Sequence, residues 1–209
     1  MIRGKTLNDI LTEYLPVGCA EPVAEWFGNH RVILRITRNR RSKLGDFRGG
    51  SQVAYPRISV NHDLNPYSFL ITLIHEMAHA ELFLSKAGRI KPHGEQWKQT
   101  YRLLAAPFLK PGLLPDDIRQ PFAAYLKNPA ASSTSDIHLA GALRQYDVAT
   151  GKTLISDLPE EALFALPDGR VFRRGIKLRK RFRCVCLNNK RIYLFSPLAE
   201  ILQVDSSVT

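Results

Sequence analysis

Apolar residues at Leu70, Leu73, Ile74, Met77 and Leu84 recur at the spacing that places them on one buried face of an α-helix. Asn65-Pro66 opens this run with a capping side chain, followed by a proline at a position where its missing N–H costs nothing. Gly88 can take the left-handed conformation that ends helices, so the stop is expected close to Lys86-Ala87. The pattern predicts a largely buried helix. Upstream, Thr6 to Leu15 reads as a first helix and Glu21 to Phe27 as a second, stopped by Gly28. Arg31 to Ile36 alternates as a strand does, and Arg57 to Val60 reads as its partner. Downstream, Trp97, Tyr101, Leu103 and Leu104 predict an amphipathic helix from Gln96. Pro111, Pro115 and Pro121 break up a further helical region that ends near Leu126.

The character of the chain then changes. Asn128-Pro129-Ala130-Ala131-Ser132-Ser133-Thr134-Ser135 has the composition of a linker. Beyond it, turn signals at Pro167-Asp168-Gly169 and Asn188-Asn189 separate expected strands at Val171–Leu178, Arg181–Leu187 and Arg191–Phe195. The expected class is α+β, with a mainly helical core around a small β-sheet, followed by a small β-rich C-terminal domain. The expected division is 1–127, a linker at 128–136, and 137–209. With 209 residues, the chain is long enough for one medium core plus a small one.

Chemistry enters at His75-Glu76-Met77-Ala78-His79, which spells HExxH inside the long helix. Residues four apart lie one above the other on a helix, so both imidazoles can hold one ion while Glu76 sits beside them to handle a water. Polar groups on a buried helix need partners or a metal. Catalytic zinc usually takes three protein ligands and leaves a fourth position for water. His93 is the expected third ligand, in the tight loop marked by Pro92 and Gly94, where a short turn between antiparallel helices would return it to the first helix. Glu95 competes for that role. Glu81 is aimed about 200° away from His79, and His62 precedes the helix in a turn.

HExxH followed by His93-Gly94-x-x-Trp97 resembles the SprT family of zinc metallopeptidase-like domains, which includes the Spartan proteases. The basic stretch Arg38–Lys43 leading to Leu44-Gly45, the segment Ile58-Ser59-Val60-Asn61 and Ala80 are also similar to that family. The resemblance spans roughly residues 5 to 110. It implies a zincin-like fold, one Zn2+ held by His75, His79 and His93, Glu76 as the catalytic base, and hydrolysis of peptide bonds. Spartan-type members cleave proteins attached to DNA, so protein substrates near DNA are the implied class. The chain departs from the family at its end: many members finish in a zinc ribbon with two cysteine pairs. Here Cys184 and Cys186 have only Cys19 besides them. Two thiolates do not close a structural zinc site, and both cysteines are expected on one side of a strand as small apolar residues.

Charge adds a possible partner. The formal net charge is +11, and the segment Arg170–Arg191 holds ten Lys or Arg with no acidic residue. Arg31 to Arg48 holds seven against one Asp. Such clusters are the footprint of phosphate binding, with Arg38, Arg40, Arg41, Lys43, Arg179, Lys180 and Arg181 as the candidate contacts to DNA. Phe172 and Phe182 are expected in a core rather than as stacking platforms. Three cysteines without a pairing pattern, no signal-peptide pattern and no apolar run of membrane-spanning length make a cytoplasmic location and a monomer the default expectations. The alternative function is a non-catalytic zinc-containing module that associates with nucleic acid or the transcription machinery. The intact Glu76 argues for the enzyme.

Overall fold

The computed structural model describes residues 4–40, 43–50, 54–85, 91–130, 132, 136–148, 153–179 and 181–203. The chain is α+β and forms two compact units, Met1–Asp147 and Val148–Thr209.

The first unit is built around one helix, here α3, Pro66–Leu84. It follows α1 (Leu7–Thr12) and α2 (Ala20–Asn29), then strands β1 (Ile33–Thr37), β2 (Gly45–Arg48) and β3 (Arg57–Asn61). After it come α4 (Glu95–Ala105), a single 3-10 turn at Ala106–Leu109, α5 (Asp116–Leu126) and α6 (Ile137–Arg144). Asn65 caps α3: its side-chain oxygen accepts from the Tyr67 and Ser68 amides, and Pro66 occupies the first turn. Every residue from Phe69 to Ala78 is buried. A helix buried all round is one that neighbours cover on every side, which explains why its apolar residues are not confined to one stripe.

The small sheet runs in the order β1-β3-β2. β1 and β3 pair in parallel, Ile36 opposite Val60, which is the pairing expected from Arg31–Ile36 and Arg57–Val60. β2 was not foreseen. It lies antiparallel on the other edge of β3, with Gly45 opposite Val60, and its Gly-Asp-Phe-Arg composition carries no strand pattern. Gly28 does not stop α2, which continues to Asn29. Nothing adds a Cβ clash or demands a positive φ at Gly28, so it behaves as an ordinary helical residue. Pro121 falls inside α5, whose apolar residues Ile118, Phe122 and Tyr125 still seat in the core. α3 ends at Leu84; the expected stop at Lys86, Ala87 and Gly88 lies outside the described residues.

The boundary between units differs from the one expected at 128–136. Residues 137–144, read as part of a β-rich domain, form α6 and bury Leu139, Ala142 and Leu143 in the core of the first unit. Asn65 fixes this arrangement, because its Nδ2 donates to the Leu143 carbonyl (2.9 Å) and to Asp147 Oδ1 (2.6 Å). The cap of α3 is thus also the anchor of α6.

The second unit is a six-stranded sheet in the order β4-β9-β5-β6-β7-β8. Its strands are β4 (Thr153–Leu154), β5 (Leu163–Ala165), β6 (Val171–Lys177), β7 (Phe182–Cys186), β8 (Ile192–Phe195) and β9 (Glu200–Gln203). Phe164, Phe172, Phe182, Cys184, Cys186 and Ile201 form its core. The two cysteines are therefore small buried residues two apart on one strand, as expected. Gly169, at φ +83°, makes the expected turn before β6. Among the described residues, no helix is long and apolar enough to cross a membrane.

Candidate metal centre

α3 places His75 and His79 one turn apart, and the turn before α4 carries His93. Their Nε2 atoms form a triangle: 3.3 Å between His75 and His79, 3.0 Å between His79 and His93, and 3.3 Å between His93 and His75. These contacts cannot all be hydrogen bonds. Each neutral ring nitrogen either donates or accepts, so among three mutual neighbours at least two are alike and repel. A cation at the centre removes the conflict. Zinc bonds of about 2.0–2.1 Å at tetrahedral angles put ligand nitrogens about 3.3 Å apart, which is the spacing present. Burial is the main force that pushes His75 down to about 3 and His79 to about 4, with the neighbouring imidazoles adding to it. His93 is lowered by burial too. The rings are held neutral, with lone pairs available to a metal. Three histidines are positioned to bind an ion, and among the described residues this is the one such group.

Local structure explains how His93 arrives there. The Gly94 amide bonds to the Lys91 carbonyl at 3.0 Å, closing a tight turn, and His93 sits at φ +57°. That left-handed conformation costs a side chain about 1–3 kcal/mol in general and is concentrated at functional positions. Gly94 then caps α4. Trp97, one turn into α4, is fully buried against all three imidazoles, at centroid separations of 4.6, 5.3 and 4.7 Å from His75, His79 and His93. It forms an apolar wall behind the triangle. Its Nε1 is buried without a hydrogen-bond partner.

Glu76 lies against the unforeseen strand. The Phe47 backbone of β2 lies near enough to favour the ionised form of its carboxylate. A Cβ at Gly45 would lie 2.8 Å from Glu76 Oε1 and 2.7 Å from Thr72 Cγ2, so β2 can approach this closely only through a glycine. Burial raises the Glu76 carboxyl to about 7, Asp46 adds to the rise, and the Phe47 amide, Lys43 and Arg40 oppose it. A cation among the histidines would draw it back towards the ionised form.

Residues 28–114 match the SprT-like family model. This is the family that the motifs resemble, and the matched segment contains β1 to α4 with His75, Glu76, His79 and His93. No curated protein and no solved structure matches the chain.

The competing ligands of the SprT-like segment are engaged elsewhere. Glu81 accepts from Trp26 Nε1 at 2.9 Å and lies 3.1 Å from His30 Nε2. Glu95 pairs with Arg102 at 3.0 Å, and His62 is exposed in the turn after β3. Of the tyrosines that could have reached the centre, Tyr55 is exposed and Tyr67 packs on Tyr146. Tyr101 is buried beside His75, and its hydroxyl donates to the Ile71 carbonyl at 3.3 Å. The sequence missed the roles of Trp97 and Gly45. The Gly-x-x-Trp spacing and the glycine after the basic stretch were both visible, but their contacts are not readable from spacing.

The candidate DNA contacts divide. Arg40 is engaged within the fold: Nε donates to Asn61 Oδ1 at 2.8 Å and Nη1 to Ser59 Oγ at 3.0 Å, so its guanidinium clasps the loop after β1 onto β3. Lys43 pairs with Asp46 at 2.8 Å. Arg38 is exposed. Arg179 and Arg181 are exposed in the β6–β7 turn, while Arg41 and Lys180 lie outside the described residues.

Proposed function

We propose that this chain is a zinc-dependent metalloendopeptidase of SprT-like type that hydrolyses protein substrates, with DNA-associated proteins as the substrate class. The observation that carries this reading is the nitrogen triangle of His75, His79 and His93 with the Glu76 carboxylate on the same helix. Zinc held there supplies Lewis acidity towards a water and a peptide carbonyl oxygen. Glu76 takes a proton from the attacking water at a carboxylate oxygen and returns it to the amine nitrogen as the C–N bond breaks. The close approach of β2 at Gly45 confines the carboxylate during both transfers. Arg38, Arg179 and Arg181 are the proposed phosphate contacts that bring the enzyme near DNA-bound protein. Three free, buried cysteines suit a reducing, cytoplasmic setting.

The test is incubation of the zinc-loaded full chain with a DNA-bound protein, with and without DNA, beside Glu76→Gln. The expected result is one zinc per chain in both proteins and cleavage by the wild type alone, since the amide fills the same space but accepts no proton. Cleavage by the variant would remove Glu76 from the mechanism. Zinc without cleavage in the wild type would favour the non-catalytic module.

A further inference from the structure

Thr72, Glu76, His79 and Phe83 fall on one stripe of α3, at the i, i+4, i+7 and i+11 spacing that keeps side chains on a common face. β2 runs along this stripe. Gly45 lies over Thr72 and Glu76, and a Cβ at Gly49 would stand 2.9 Å from the Phe83 ring and 3.0 Å from Phe47 Cζ. Phe47 registers opposite the buried Ile58, so its ring is on the α3 face of the sheet, while Asp46 and Arg48 turn to the other face. The Phe47 and Phe83 rings meet at 5.6 Å between centroids, tilted by 58°. Phe83 is nevertheless 43% exposed. Residues four apart on a helix have Cβ atoms about 5–6 Å apart, so this half-bare ring starts beside His79.

We propose that Phe47 and Phe83 form a subsite that selects the cleaved bond, a shelf for a large apolar or aromatic side chain of the substrate residue beside that bond. The proposal rests on the peptidase reading, because the position of the shelf on the stripe of Glu76 and His79 is what makes the substrate its occupant. An extended peptide advances about 3.3 Å per residue, and Phe83 is one helical turn, about 5.4 Å, along the stripe from His79. A side chain within one or two residues of a carbonyl at Glu76 therefore reaches the shelf. The charged groups nearby are turned elsewhere: Asp46 pairs with Lys43 and Arg48, and Glu81 takes Trp26 and His30. An aromatic side chain gains burial and ring contact there. A carboxylate or ammonium loses hydration without gaining a partner among the described residues.

The probes are fluorescein-labelled Gly–Ser peptides with one central Phe, Ala or Glu, titrated into the zinc-loaded full-length Glu76→Gln protein. The Phe peptide should bind about tenfold more tightly than the Ala peptide, the effect of burying part of one ring, and the Glu peptide no better than the Ala peptide. Adding Phe83→Ala should bring the Phe-to-Ala ratio close to one, and Phe83→Leu in its place should recover part of the preference. Zinc content and melting temperature establish that each variant is folded and loaded. With Glu76 intact, mass spectrometry of digested, unfolded casein should find large apolar residues enriched beside the cut bonds, and Phe83→Ala should lose the enrichment. Equal or absent binding of the three peptides would overturn the proposal. So would a lower melting temperature in Phe83→Ala with the ratio intact, which would make the ring pair only a brace between β2 and α3, or a concentration-dependent dimer lost in that variant. The two readings fail separately: selective binding without any cleavage by the wild type would sink the peptidase and leave the shelf, and cleavage without apolar preference would do the reverse.

Discussion

Gly45 and Glu76 meet at a distance that leaves no room for a methyl group, and this contact makes the sharpest prediction at the scale of single residues. Gly45→Ala must push either β2 or the Glu76 side chain aside, at a cost of about 1–3 kcal/mol for overpacking. The expected outcome is zinc binding at wild-type stoichiometry, a lowered melting temperature and loss of cleavage, read by metal analysis, calorimetry and peptide assay. Unchanged cleavage would mean that β2 does not position the carboxylate. The protonation of the centre makes a second prediction, for the metal-free protein. His75 and His79 have folded pKa values of about 3 and 4, below the ordinary 6.5, so on acidification the unfolded chain takes up their protons first and stability falls. Glu76, at about 7 against an ordinary 4.5, does the reverse, binding a proton in the folded state first and offsetting part of the loss. Melting temperatures in chelator should therefore drop from pH 7 to pH 5, and Glu76→Gln, which lacks the offset, should drop more steeply. Parallel pH curves for the two proteins would contradict that assignment.

Among the elements, α3 depends on Asn65 for more than its first turn. The side-chain oxygen caps the helix, and the amide nitrogen donates to the Leu143 carbonyl on α6, which also accepts from the Tyr146 amide. Asn65→Ala removes a cap worth about 0.5–2 kcal/mol and one of the bonds to the Leu143 carbonyl, about 0.5–1.5 kcal/mol more, because the Tyr146 amide still donates to that carbonyl at 3.1 Å. Asn65→Asp keeps the acceptor for the cap but places a carboxylate beside the Leu143 carbonyl and Asp147, so it should restore only part of the lost stability. Hydrogen exchange should show α6 opening first in both variants. A variant in which α6 stays as protected as in the wild type would show that Leu139 and Leu143 hold it without the anchor.

For the whole molecule, the boundary after Asp147 decides which fragment stands alone. A chain ending at Asp147 keeps the entire first core and should bind zinc and melt cooperatively. One ending at Lys127 loses Leu139, Ala142 and Leu143 and uncovers the Asn65 amide, and should be markedly less stable by denaturant titration. Equal midpoints for the two fragments would mean that α6 is dispensable.

The long helix, the HExxH pair and its third histidine were legible in the sequence because each is a local matter: helical periodicity, a cap and a turn act over a few residues. β6, β7 and β8 were legible for the same reason, since alternation and turn residues are local signals, whereas the short strands β4, β5 and β9 carry no such pattern. β2 and α6 were not. Gly45–Arg48 is a strand because β3 offers it an edge. Residues 137–144 form a helix capped locally by Asp136, but they belong to the first unit because Leu139, Ala142 and Leu143 bury in its core and Asn65, far away in sequence, donates to the Leu143 carbonyl. Arg40 looked like its basic neighbours, and only the positions of Asn61 and Ser59 made it a structural clasp. The sequence alone determined which side chains could carry the chemistry. Tertiary contact decided what surrounds them, because the Trp97 wall and the Gly45 approach join residues whose neighbourhood no spacing encodes.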